Sequence, residues 1–363
     1  MKPNILFISC FKQYDGWGLA AKDYARALST VANVTIRNIY LSNSREEKLP
    51  QDLQVLEDTK YNNYDIVIQK TLPNLYYYDG RFKQNIGMTV FETELSYHNW
   101  FNNMNLMDKM LVPSKIEANW LKNKLKNQVF NVSEALDINI ADKNYPIVDD
   151  ALGKKLFKFL FIGENIPRKG IRELIQAYFS AFTVNDNVLL IIKSNGDITK
   201  EVSNIKNGMR RFVSDTKYPP IYFISHRLNN EQIYSLHQNT DVLVMPSYGE
   251  AFNRPAATSL IFGKPVIATD NTGMTDYLNS DIGWLVKSNK EQVFCTQPPL
   301  QELYTSQETY YVPNILNLKE CMQNAFFDKN AYNLKCFNIL DSKIKEKFSY
   351  ESVGKNILEA IEA

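Results

Sequence analysis

DVLVMPSYGEAFNRPAATSLIFGKPVIATD, residues 241–270, decides the fold. Its apolar run Val242 to Met245 reads as a strand and gives way to a polar turn at Pro246 to Gly249. A helix opens near Pro255, where the missing N–H costs nothing, and closes before Gly263. A second apolar strand runs from Pro265 to Ala268. Strand, turn, helix, glycine, strand is the unit of a parallel sheet, and such sheets bind ligands beyond the C-terminal ends of their strands. Glu250 falls at that position. A solvated turn carboxylate is the plain alternative, so the rest of the chain has to decide.

The same alternation recurs on both sides. Upstream, strands are expected at 5–9, 34–39, 64–69, 86–91, 109–112 and 129–132, with helices at 19–28, 100–107 and 116–125. Residues 139–155 lose the periodicity, carry Pro and paired Asp, and read as a linker. The pattern restarts with strands at 157–162, 188–193, 221–225, 242–245, 266–268 and 283–286. Helices are expected there at 171–183, 230–238, 255–262 and 317–327, and an irregular aromatic loop at 292–313. Short connections between alternating strands and helices predict α/β halves, each with a mostly parallel sheet covered on both faces. The tail, 349–363, sets Val353, Ile357, Leu358 and Ile361 on one side and reads as a docking helix.

Composition narrows the function. The chain has 363 residues, with 41 Lys plus Arg against 40 Asp plus Glu, so no global field draws it to nucleic acid or membrane. An anion site must be a local cluster. Four cysteines, at 10, 295, 321 and 336, are too scattered for a disulfide framework. With histidines only at 98, 226 and 237, a structural zinc site is not expected. The opening MKPNILFISCFKQYDG is too short in apolar run for a signal peptide or a span, which gives a soluble, cytoplasmic expectation.

Two clusters carry chemistry. In FIGENIPRKGIRELIQAYFSAF, residues 161–182, a strand ends near Gly163 and a helix begins near Gly170. Arg168 and Lys169 would then sit at the positive end of a helix, where each cation costs about 0.3–1 kcal/mol when exposed. An anion held between them and the free N–H groups gives the pair a purpose, and a phosphate or diphosphate fits; a solvated basic turn is the alternative. Gly163 and Gly170 read as ordinary turn glycines. In the second cluster, Ala251, Phe252 and Asn253 lead from Glu250 to a helix start, with Arg254 beside Pro255 and Thr258 one turn in. Phe252 either covers a ligand or plugs the core.

A third stretch tests a rival. DGWGLAAKDYARAL, from Asp15, sets Gly16, Gly18 and Ala21 in a weak dinucleotide fingerprint. The loop after Ser9 is too long for that turn, and residues 35–41 offer no acid for an adenosine ribose. A nicotinamide oxidoreductase is therefore set aside, leaving a Gly-rich loop that admits close backbone approach.

Arg168-Lys169, Glu250 and the twin α/β halves together resemble retaining glycosyltransferases of family 4, with the GT-B fold. In that family a helix opens with Lys-Gly, and an E-G-F-G-x-P stretch leads to a second Glu eight residues after the first. Here stand Lys169-Gly170 and GEAFNRPAATSLIFGKPVIATD from 249, while 90–114 is similar to a segment of mannosyl- and glucosyltransferase-like members. The resemblance implies two Rossmann-like domains facing a cleft: an acceptor-side domain at 1–148, a donor domain at 149–340, and helices at 341–363 crossing back to the first.

It also implies roles. Arg168 and Lys169 would neutralise the diphosphate of a UDP- or GDP-linked sugar, and Glu250 would hold the transferred hexose. The amides of Ala251, Phe252 and Asn253 would line the sugar and phosphate, with Gly163 and Arg254 beside them. Gly16, Trp17 and Gly18 would approach the diphosphate, and the base would lodge near Ser225 to Leu228, at His226 and Arg227. Departures are plain. Thr258 replaces the second Glu, Glu164 an Arg, Ala251 and Asn253 two glycines, and Glu92-Thr93 occupies the stretch of the usual catalytic His. The implied activity is metal-independent hexosyl transfer, without a cofactor, to a saccharide or glycolipid hydroxyl in polysaccharide biosynthesis. It implies no nucleic-acid partner, and a weak peripheral association with the inner face of a membrane. A member that binds nucleotide-sugar or saccharide without efficient transfer is the alternative.

Overall fold

The computed structural model describes residues 2–41, 47–94, 98–210, 218–271, 273–293 and 307–363. These fall into two compact units. The first takes in Met1–Ile138, Leu303–Glu308 and Lys345–Ala363, and the second Asn139–Glu302 and Thr309–Ile344.

The first unit is built on six strands: β1 (Asn4–Ser9), β2 (Asn33–Asn38), β3 (Ile66–Lys70), β4 (Gln84–Met88), β5 (Lys109–Val112) and β6 (Gln128–Asn131). All pair in parallel, in the order β2-β1-β3-β4-β5-β6. Its helices are α1 (Gly16–Val31), α2 (Gln51–Asp58), α3 (His98–Met104) and α4 (Lys115–Lys122). Apolar side chains of β1, β2 and β3, among them Ile5, Phe7, Val34, Ile36 and Ile68, bury against Tyr24, Ala25 and Leu28 of α1.

The second unit opens with a short α5 (Asp150–Gly153). It continues β7 (Phe157–Ile162), α6 (Ile171–Ala181), β8 (Val188–Lys193), α7 (Thr199–Arg210), β9 (Ile221–Ile224), α8 (Asn230–Gln238) and β10 (Val242–Met245). Then come α9 (Arg254–Ile261), β11 (Val266–Thr269), β12 (Gly283–Val286), β13 (Ser288–Gln292), β14 (Thr309–Pro313), α10 (Ile315–Phe327) and α11 (Lys329–Asp341). Six of the strands form a parallel sheet, β12-β11-β10-β7-β8-β9. The interior strands β8, β10 and β11 are buried throughout, which is why they read as unbroken apolar runs in the sequence.

The chain closes with α12 (Ile344–Phe348) and α13 (Tyr350–Glu362). Val353, Ile357, Ala360 and Ile361 of α13 join the core of the first unit, and the Tyr350 hydroxyl donates to Asp23 of α1 at 2.8 Å. Lys109, at the start of β5, donates from Nζ to the carbonyls of Ile361 and Ala360, 2.6 and 3.2 Å away. A cation at these last carbonyls complements the negative end of the helix.

Three departures from the sequence reading have physical causes. The helices α2, α7 and α11 lacked a readable period. Leu53 is the buried residue of α2, while Leu334, Phe337 and Leu340 of α11 are exposed. The expected loop at 292–313 has strands at its ends, since β13 and β14 pair antiparallel; residues 294–306 lie outside the described residues. The first strand of that ribbon is exposed and polar and its second half-buried along its length, so no apolar alternation marked it. The stretch read as a linker is a packed strap. Tyr145 sets its ring 5.5 Å from Tyr234 and 6.1 Å from Phe262, and its N–H donates to Gln238.

Candidate active site

In the second sheet the chain steps outward one way through β7, β8 and β9, and the other way through β10, β11 and β12. The order therefore reverses between β7 and β10. The crevice beyond the C-terminal ends of two such strands is where doubly wound sheets take ligands, because the connections leaving them diverge to opposite faces. Arg168 and Lys169 follow β7 and Glu250 follows β10.

The two loops are stitched together. Arg168 and Lys169 lie in a single 3-10 turn, Pro167–Lys169, just before α6 rather than within its first turn. Gly170 ends that turn with φ +70°, and a Cβ there would meet the Pro246 carbonyl oxygen at 2.1 Å. Only glycine allows both the left-handed backbone and the close approach, so Gly170 is not an ordinary turn residue. Across the seam the Tyr248 N–H donates to the Arg168 carbonyl at 2.7 Å, and Arg168 Nη1 donates to the Gly249 carbonyl.

Arg168, Lys169 and Glu250 consequently meet. Lys169 Nζ is 2.6 Å from Glu250 Oε1, and Arg168 Nη1 is 3.3 Å from the same oxygen. The Glu250 side chain is only 7% exposed, which rules out the solvated-turn reading. Burial pushes its carboxyl up, but Lys169 and then Arg168 outweigh that and hold it below its ordinary value. Two cations around one carboxylate leave the cluster with a formal charge of +1. Gly163 lies under the stem of Lys169, whose Cδ would be 3.7 Å from an added Cβ.

The loop after Glu250 accounts for one departure from the glycosyltransferase pattern that the sequence resembles. Asn253 caps α9 with φ +67°, its side chain accepting from the Ala256 N–H. Asparagine tolerates the left-handed region better than most residues, so it can stand where the resembled pattern carries glycine. Phe252 is 2% exposed and packs 5.3 Å from Tyr277, whose hydroxyl donates to the Phe252 and Asn253 carbonyls. Of the two readings of Phe252, the core one holds. Ala251 and Thr258 are also buried, and Arg254 at the start of α9 is partly exposed. The Glu250 carbonyl accepts from the Gly273 N–H at 2.7 Å, a support from the segment after β11 that the sequence did not signal. His226 and Arg227 are exposed beyond the end of β9, two strands from β7.

The remaining candidates belong to the first unit. Gly16, Trp17 and Gly18 form the first turn of α1, capped by Asp15, which accepts from the Gly18 N–H at 2.9 Å. A Cβ on Gly18 would meet the Gln13 carbonyl oxygen at 2.1 Å, so here too the glycine is required by close packing. The Trp17 ring lies 4.4 Å from Nζ of the buried Lys70, at the end of β3. Glu92 lies in a bend beyond β4, and the Phe91 N–H beside it donates to the buried Glu117. Among the described residues, no group of three or more His, Cys, Asp or Glu is placed to hold a metal ion. Nor is any helix among them long and apolar enough to cross a membrane.

Comparison with known proteins bears on both units. Residues 148–296, which include the Arg168, Lys169 and Glu250 cluster, match the family model described as Glycosyl transferases group 1. An uncharacterized glycosyltransferase of Methanocaldococcus jannaschii is 28% identical over 173 residues, 46% of this chain and 41% of that protein. The matched stretch thus spans less than half the length of the curated relatives. Among solved structures, Anabaena HepE in complex with UDP and glucose has a TM-score of 0.67 at 15% identity, covering 99% of both chains. Sucrose-phosphate synthase from Thermosynechococcus elongatus has a TM-score of 0.65 at 15% identity, covering 99% of this chain and 98% of that one. The fold is GT-B: two Rossmann-like α/β domains, with a C-terminal helix returned to the first.

Proposed function

We propose that the protein is a retaining glycosyltransferase moving a hexose from a UDP- or GDP-linked sugar to a hydroxyl of a saccharide or glycolipid. The observation that carries the reading is the ion-paired Arg168, Lys169 and Glu250 at the strand-order reversal of the second sheet. The relatives' names and the UDP and glucose bound by HepE support it. In this reading the second unit holds the donor, and the first, with Glu92, serves the acceptor side.

In the unliganded protein Glu250 keeps both cations in place. A diphosphate competes for them, which frees the carboxylate for sugar hydroxyls. As the C1–O bond to the diphosphate breaks, negative charge grows on the leaving oxygen, where preorganised cations lower the barrier most. The acceptor oxygen bonds to C1 from the side the diphosphate leaves, and its proton passes to the departing phosphate. The charge is supplied by side chains, so the reading needs no metal. A second reading, binding without efficient transfer, is favoured by Thr258, whose single hydroxyl stands where a carboxylate accepts two charge-assisted hydrogen bonds.

The test is release of nucleoside diphosphate from a panel of UDP- and GDP-sugars, without and with saccharide acceptors. Acceptor-stimulated release with retained anomeric configuration supports the proposal. Tight nucleotide binding without release supports the second reading, and an inverted product overturns the retaining mechanism.

A further inference from the structure

We infer that Lys193 is a third cation of this site, donating to a phosphate oxygen of the bound nucleotide. The inference rests on the reading that the site takes a diphosphate. Lys193 ends β8, the strand beside β7. Its register partners are Ile162 on β7 and Ile224 on β9. Partners in parallel strands direct their side chains to the same face, so the lysine stem lies between two isoleucines. The residue is 7% exposed, at the C-terminal rim of the sheet. Its Nζ donates one hydrogen bond, a long one of 3.4 Å, to the carbonyl of Ser194. Among the described residues no carboxylate pairs with it, and burial alone pulls its ammonium below the ordinary lysine value.

A largely buried ammonium with one long hydrogen bond and no carboxylate partner is costly, and a position next to two isoleucines would be better filled by Leu or Met. Such groups concentrate where a ligand supplies the missing charge. The charge balance identifies that ligand. Arg168 and Lys169 share Glu250, leaving +1, and with Lys193 the buried and half-buried charges at the ends of β7, β8 and β10 sum to +2, the exposed Glu164 after β7 standing outside that sum. The diphosphate of a nucleotide-sugar carries two negative charges. Neighbouring strands lie about 4.8 Å apart, so the end of β8 is one strand spacing from that of β7. No comparable argument attaches to His226 and Arg227, which are exposed to water.

Calorimetry on the full chain, with inorganic pyrophosphate, UDP and uridine as probes, tests the inference. K193M should weaken pyrophosphate and UDP together by about tenfold or more, leave uridine unchanged, and be largely rescued as K193R. The unliganded K193M protein should melt at or above the wild-type temperature, because a lone buried charge has been removed. A loss confined to uridine and UDP would assign Lys193 to a base carbonyl and overturn the proposal. So would a fall in unliganded melting temperature with every affinity intact, or wild-type protein that does not bind pyrophosphate. Lys193-dependent pyrophosphate binding in a protein that releases nothing from nucleotide-sugars would leave this inference standing and defeat the transferase reading. Sugar transfer with affinities indifferent to K193M would do the reverse.

Discussion

Glu250 shares a single oxygen between Lys169 and Arg168, and that geometry separates its charge from its shape. E250Q keeps the shape. It should slow transfer about a hundredfold, near 3 kcal/mol of barrier, and tighten pyrophosphate because both cations are released from their carboxylate. K169A should weaken pyrophosphate and also lower stability by about 3 kcal/mol, since a buried carboxylate loses its nearer partner. Weakened pyrophosphate in E250Q would overturn the competition between carboxylate and ligand. The carboxyl lies below its ordinary 4.5, so the pairing stabilises the fold above that pH and is lost as pH falls through the depressed value. Since side chains provide the positive charge, transfer should persist in excess chelator, measured as product formed with and without EDTA. The residue types of this cluster were legible in the sequence through two separate arguments, an anion site for Arg168 and Lys169 and a strand-end position for Glu250. Their ion pairing was not, because the partners are 81 residues apart and meet through Gly170 and the Pro246 carbonyl.

On α8, a buried histidine gives an element its own acid response. His237 lies with its ring parallel to Phe262, centroids 6.0 Å apart, and its Nδ1 is buried without a hydrogen-bond partner. Burial lowers its pKa from 6.5 to about 3. The folded protein keeps the ring neutral while the unfolded chain takes up a proton below its ordinary pKa, so stability falls as pH drops from 6.5 toward 3. Between pH 7 and pH 5 the loss from this one group is about 2 kcal/mol. H237F should remove that part, read as a smaller shift in urea midpoint between the two pH values than in wild type; an equal shift would show that the ring takes up its proton while folded. Helix α6 was legible because residues three and four apart face a core, and β7 and β10 because they are buried along nearly their whole length and read as apolar runs. Helix α11 was not, because its exposed positions carry Leu334, Phe337 and Leu340 and erase the contrast between inside and outside, nor was the ribbon β13–β14, whose first strand is polar and whose second is half-buried along its length.

At the scale of the whole chain, two six-stranded parallel sheets follow from two runs of apolar strands separated by a stretch without period. What the alternation of strands left open was the order within each sheet, since order depends on which way each crossover turns and that is set by packing rather than by local pattern. The chain ends by returning to the first unit, and this makes the last helix a structural part of a domain whose sheet lies more than 200 residues earlier, as the Lys109 to Ile361 bond shows at a separation of 252. Burying Val353, Ile357 and Ile361 contributes roughly 6 kcal/mol, comparable with the whole stability of a domain, about 5–15 kcal/mol. Ending the chain at Phe348 would also strip Lys109 of both its carbonyl acceptors and Asp23 of the Tyr350 hydroxyl. The second sheet and its helices lose no core residue to this cut. The truncated protein should therefore show two calorimetric transitions, the first unit melting early and the second near its wild-type temperature with pyrophosphate binding retained. K109M, which keeps the apolar face of α13 and removes only the ammonium, should shift the first unit's transition by much less. A truncated protein that melts in one transition at the wild-type temperature would show that α13 carries no such share of the first unit's stability.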